Sequence, residues 1–162
     1  MNKTLYALLV GLVVFAGCST VTPEQLVERT VPDKSVPIYF TAFVPRGPDS
    51  VGGVGVYQEF INPGKKVFKY VLADYTAQDQ VLETVRSDIG GRIDAGTKAI
   101  GPYPFGATSG YKRFDALWYN GSIKCVTLNK VTIIYMDDTS KIIQGTDVAK
   151  VVPRGQTRSC RQ

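Results

Sequence analysis

The chain has no histidine, and among its 162 residues only three are cysteine, two are methionine and one is tryptophan. Without histidine there is no Ser–His or Cys–His nucleophile, no imidazole base and no ordinary zinc or copper site. Cys18, Cys125 and Cys160 stand too far apart for the paired-thiolate spacing of a metal knuckle. Nor is there a stretch long enough to cross a bilayer: the apolar run over residues 5–15 spans about 16 Å as a helix, roughly half a hydrocarbon core. The glycine-rich Gly52-Gly53-Val54-Gly55 lacks a GxGxxG register, a Gly-Lys-Ser/Thr and a following helical pattern, so it is not a phosphate cradle. Asp74, Asp79, Glu83, Asp88 and Asp94 do not fall into the spacing of a calcium loop. Asp137 and Asp138 form the one adjacent carboxylate pair worth testing for glycoside chemistry, but in a β-turn both point into water. Nothing marks a Ser–Lys dyad. The expectation is a non-enzyme without metal or cofactor.

What is present is concentrated at the N-terminus. Lys3 precedes the apolar run, and Ala16 and Gly17 lead into Cys18. A charged start, a short apolar core and small residues at the end are the parts of a secretory signal peptide. Phe15-Ala16-Gly17-Cys18 resembles the lipobox of bacterial lipoproteins, usually Leu-Ala-Gly-Cys, with Phe in the leading position. The resemblance implies that Cys18 is the lipidation site, that residues 1–17 are removed, and that the new amine is acylated. One acyl chain holds marginally, whereas two or three hold stably. Ser19 at the following position, by resemblance to enterobacterial sorting rules, directs the protein to the outer membrane rather than the inner one. The alternative is a buried Cys18 behind an ordinary signal peptide.

Cleavage leaves 145 residues, with 18 basic and 14 acidic side chains, net +4. That is enough chain for one domain with a real core. The basic residues are scattered, not striped, which fits solubilising charge, an anionic surface or an acidic partner. Nucleic acid is excluded as a partner. If Cys18 is lipidated, Cys125 and Cys160 remain. In an oxidising compartment the two are expected to form a disulfide that pins the tail to the strand carrying Cys125; the alternative is a buried free Cys125 and a loose tail thiol.

Residues 18–36 read as a lipidated tether. Thr22-Pro23-Glu24-Gln25 is a capping box with Pro at the first helical position, predicting a short helix over about residues 23–29. From Val36 the period is two, and residues 37–152 read as one β-domain, followed by a polar tail, 153–162. Ile38, Phe40 and Ala42 alternate with Tyr39, Thr41 and Phe43. Asn62-Pro63-Gly64-Lys65 predicts a hairpin between strands at 54–61 and 66–75. Residues 76–91 fit a helix or a strand; the surrounding pattern favours a strand at 81–86. A short strand is expected at 97–100. Asn120-Gly121 predicts a second hairpin. Strands follow at 122–128 and 131–136 with a kink at Asn129-Lys130, then a turn at 137–140, a strand at 141–144 and an edge strand at 147–152. There are no repeats and no heptads.

The stretch from Glu59 through Asn62-Pro63-Gly64-Lys65 to Val71 resembles the opening hairpin of FxLYD-type immunoglobulin-like envelope modules. Gly101-Pro102 and the run into Tyr135-Met136-Asp137-Asp138 are similar to their later strands, although Leu72-Ala73-Asp74-Tyr75 stands where the namesake motif would fall. The resemblance covers residues 54–144. With about seven short strands, it implies an all-β fold, an antiparallel immunoglobulin-like β-sandwich preceded by a signal peptide and a tether helix. Trp118, Tyr119, Ile123, Cys125, Ile133 and Tyr135 are expected in its core.

Tyr103, Phe105 and Tyr111 stand in a loop, residues 101–110, stiffened by Pro102 and Pro104. Aromatics held this way lose little entropy on binding and make good contacts, so all three are partner-binding candidates. The competing expectation is that they fold back as a lid. Functionally, the sequence favours a lipid-anchored, non-catalytic module contacting a protein partner in the envelope. A glycan-binding protein, an envelope hydrolase and a structural link from outer membrane to wall stand as alternatives.

Overall fold

A computed structural model describes residues 21–78 and 94–161. The signal peptide, Cys18 and the strand expected at 81–86 lie outside the described residues. In chain order the elements are α1 (Pro23–Thr30), β1 (Tyr39–Arg46), β2 (Val54–Ile61), β3 (Phe68–Gln78), β4 (Asp94–Tyr103), β5 (Lys112–Trp118), β6 (Cys125–Tyr135), β7 (Ser140–Gln144) and β8 (Arg158–Cys160). They form two antiparallel sheets, β1-β2-β5 and β4-β3-β6-β7, with β8 also paired to β6. The alternation in β3 puts Phe68, Val71, Ala73, Tyr75 and Ala77 in the core, facing Val54, Val56, Phe60 and Phe40 of the smaller sheet. The chain is an all-β sandwich. Trp118, Ile123, Cys125 and Ile133 are fully buried, while Tyr119 and Tyr135 are half-buried.

Both hairpins expected from turn signals are sheet-to-sheet crossings instead. β2 and β3 belong to opposite sheets, as do β5 and β6. The first crossing is built by Asn62, whose side chain is fully buried. Its Nδ2 donates to the carbonyls of Lys66 and Tyr103, both at 2.8 Å, and its Oδ1 accepts from Gly64 N. The backbone of Asn62 meanwhile pairs with Gly106 and Ala107, so the end of β2 is satisfied by that loop and not by β3. At the second, Asn120 Oδ1 accepts from Ser122 N and Oγ. A polar turn reverses the chain, but which sheet receives it depends on where the buried faces meet.

The 137–140 turn is a true hairpin. Asp137 Oδ1 accepts from Thr139 N and Oγ1, and Asp138 takes the left-handed conformation (φ 60°) that Asp tolerates. The kink at Asn129 is a register shift between Asp74 and Tyr75 of β3, against one continuous strand, β6. The edge strand expected at 147–152 is a 3-10 helix, Gly145–Val151. Gly145 at φ 61° turns the chain inward and Val148 and Val151 join the core. Nor is the tail loose: β8 pairs with β6, Cys125 lies opposite Cys160, and the two are bridged. The Arg161 guanidinium then donates to the carbonyls of Gly47 and Ile123.

The helix has the capping box that the sequence predicts, with Gln25 N donating to Thr22 Oγ1 and Thr22 N to Gln25 Oε1. It is not a free spacer. Val27 and Val31, four apart and so on one face, are buried in the core, with Leu26 packed beside them. Part of the segment read as a tether therefore packs into the sandwich core. Gly106 (φ 72°) lies against Pro23, where a Cβ would come within 2.5 Å of the proline Cβ.

Candidate functional site

Two of the three aromatic candidates, Tyr103 and Phe105, pack against the sandwich core. Gly101 to Tyr103 belong to β4, and Tyr103 is only 6 % exposed. Its ring meets Phe60 edge-on at 5.1 Å, its hydroxyl donates to the Ile100 carbonyl at 2.8 Å, and burial raises the phenol pKa. Phe105 is half-buried against the same core. The lid expectation describes both. A period-two pattern carried on from Thr97 and Ala99 through Gly101 reaches Tyr103 on the inner face. The Gly101-Pro102 step within this pattern is what makes the segment look like the start of a loop.

Tyr111 does project. It is 78 % exposed, and one face of its ring stacks on Tyr57 at 4.4 Å, with Arg46 over the Tyr57 ring at 5.5 Å. Burial, then the neighbouring Tyr111 and Glu59, push the Tyr57 phenol up to about 12. The stack is on the smaller sheet.

The larger sheet carries a feature that motif reading did not find. On its outer face the register sets Ile100 of β4 beside Tyr70 of β3, and Tyr70 beside Ile134 of β6. One row along, Leu72 is opposite Thr132, which is opposite Ile142 of β7. Ile100 is 68 % and Ile142 55 % exposed. Five apolar side chains thus share the outer sheet face, where polar residues are the norm. Lys98 lies over the Tyr70 ring at 4.2 Å. The patch is assembled from four strands, so no local window of sequence displays it.

Several of the carboxylates are paired with cations or hydroxyls. Lys66 bonds Asp137 at 2.7 Å, and together with Thr139 it draws that carboxyl down to about 2. Asp138 pairs with Lys69 at 2.6 Å and Asp74 with Lys130 at 2.8 Å. A groove of about 320 Å³ lies between the segment after α1 and the β7 side, and contains Asp33, Asp147, Lys141 and Lys150. Ser35 lowers the pKa of Asp33, and Lys150 lowers that of Asp147. A general acid needs the reverse shift. Among the described residues no three His, Cys, Asp or Glu side chains converge as a metal site would require. Comparison with protein-family models, with curated proteins and with solved structures finds no match to the chain.

Proposed function

We propose that this is a lipid-anchored, non-catalytic binding module of a bacterial envelope, tethered through Cys18 to the outer membrane, that presents the outer face of its larger sheet to a protein partner. The observation that carries the reading is the apolar patch of two adjoining rows, half-buried Tyr70, Leu72 and Ile134 with exposed Ile100 and Ile142, on the outer face of the larger sheet. Two features support the setting. The Cys125–Cys160 bridge fits an oxidising compartment. The order β1-β2-β5 over β4-β3-β6-β7, with crossings after β2, β4 and β5, supports an immunoglobulin-like arrangement. The bridge, however, ties β6 to β8 and does not span the two sheets.

The test is the double variant Ile100→Ser with Ile142→Ser. Both side chains are exposed, so the melting midpoint stays within about 2 °C of wild type, while crosslinked partner capture falls about tenfold or more. Undiminished capture would remove the sheet face from consideration. The Tyr111–Tyr57 stack favours a second reading, a ring-stacking glycan ligand. Under that reading Tyr111→Ala, and not the isoleucine pair, abolishes retention on peptidoglycan.

A further inference from the structure

The end of the sandwich at which the described chain begins is tied together by a series of contacts. Pro23 rests on Gly106, Gly106 N donates to the Asn62 carbonyl, and Met136 N donates to the Val67 carbonyl. The start of α1, the 62–67 crossing, the 104–109 loop and the 136–139 turn are therefore one surface. The opposite end carries residues 47–53, the Asn120 turn and Arg161, which joins the first two through Gly47 and Ile123. The strands between are long: β3 and β6 have 11 residues each, about 35 Å of extended chain.

Cys18 is three residues before Val21. Whatever path Ser19 and Thr20 take, three peptide steps reach at most about 11 Å. The helix that follows is not a leash, since Val27 and Val31 fix it in the core. Resting on the lipid-anchor reading of Cys18, we infer that the α1 end of the sandwich is seated on the bilayer surface, with Val21, Lys65 and Met136 against the lipid and the Arg161 end directed away. Val21 and Met136 are among the exposed large hydrophobics of the described residues, and Lys65 is exposed in the 62–67 crossing at the same end. A short leash keeps this end at high effective concentration at the surface, which a long flexible linker would dilute. The strands of the larger sheet then run away from the membrane, and its apolar patch is reached from the side.

The test places a photoactivatable benzoylphenylalanine at Met136 or Lys65, and in separate chains at Val51 or Ser122. The mature chain is coupled through Cys18 to a lipid maleimide in phosphatidylethanolamine–phosphatidylglycerol vesicles; the other two cysteines are bridged and do not react. Crosslinking to lipid from Met136 and Lys65 exceeds that from Val51 and Ser122 by about tenfold, and a twelve-residue Gly-Ser insert after Thr20 brings the ratio towards one. Equal crosslinking from both ends without the insert overturns the seating, as does capture of protein instead of lipid at Met136 in cells. Failure of the anchor reading shows itself separately, as absence of acyl chains on Cys18 in protein isolated from cells.

Discussion

Replacing Tyr103 by alanine separates a core residue from a contact residue. The side chain is nearly enclosed, packs edge-on against Phe60 and spends its hydroxyl on the Ile100 carbonyl. Truncating a buried aromatic to alanine costs about 3–5 kcal/mol, because the transfer energy is lost and the site collapses only in part. For a chain of this size each kcal/mol moves the midpoint by roughly 3 °C, so Tyr103→Ala melts about 9–15 °C early. Tyr103→Phe keeps the ring and removes only the hydroxyl's bond, costing about 1 kcal/mol. The assay is thermal and urea unfolding of the oxidised mature chain at neutral pH, followed by partner capture below the midpoint. Partner capture per folded molecule is unchanged in both variants. If Tyr103→Ala melts within 2 °C or so of wild type, or loses its partner while fully folded, the burial argument fails and the 101–110 segment returns as a contact surface.

The bridge between Cys125 and Cys160 closes a sequence separation of 35 residues, worth about 4 kcal/mol in the chain-entropy description. Cys160→Ser lowers the urea midpoint accordingly, and thiol labelling of denatured, unreduced wild-type protein modifies neither residue; two reactive thiols would contradict the pairing. Asp137 gives a pH dependence of known sign. Its carboxyl falls from 3.8 to about 2 on folding, through the Lys66 and Thr139 bonds, so its contribution is present above pH 4 and is lost as pH falls towards 2. The stability difference between wild type and Asp137→Asn therefore shrinks over that window in urea titrations, and a difference that does not change with pH would rule this out.

How much was legible in the sequence follows from the range of each interaction. The capping box at Thr22–Gln25 and the Asp137 turn are made by residues within a few positions of one another, and each is where the sequence predicts it. The period of two over β1, β2 and β3 likewise reflects nearest neighbours on a pleat. These local signals determine strands, turns and a helix start, and the pattern as a whole determines an all-β class. The choice of partner strand is another matter. Asn62-Pro63-Gly64 and Asn120-Gly121 reverse the chain equally well within a sheet or between sheets. What decides is the burial of Phe60, Phe68 and Trp118 in a common core and the bonds from Asn62 to Tyr103, a contact across 41 positions. The same holds for the tail, which is polar by composition yet paired as β8, and for α1, whose Val27 and Val31 look like ordinary helix residues until a sandwich end is open to receive them. The outer-face patch of Tyr70, Leu72, Ile100, Ile134 and Ile142 exists only once four strands lie side by side. Lateral neighbours in a sheet are fixed by register between distant segments, and that is information tertiary packing supplies.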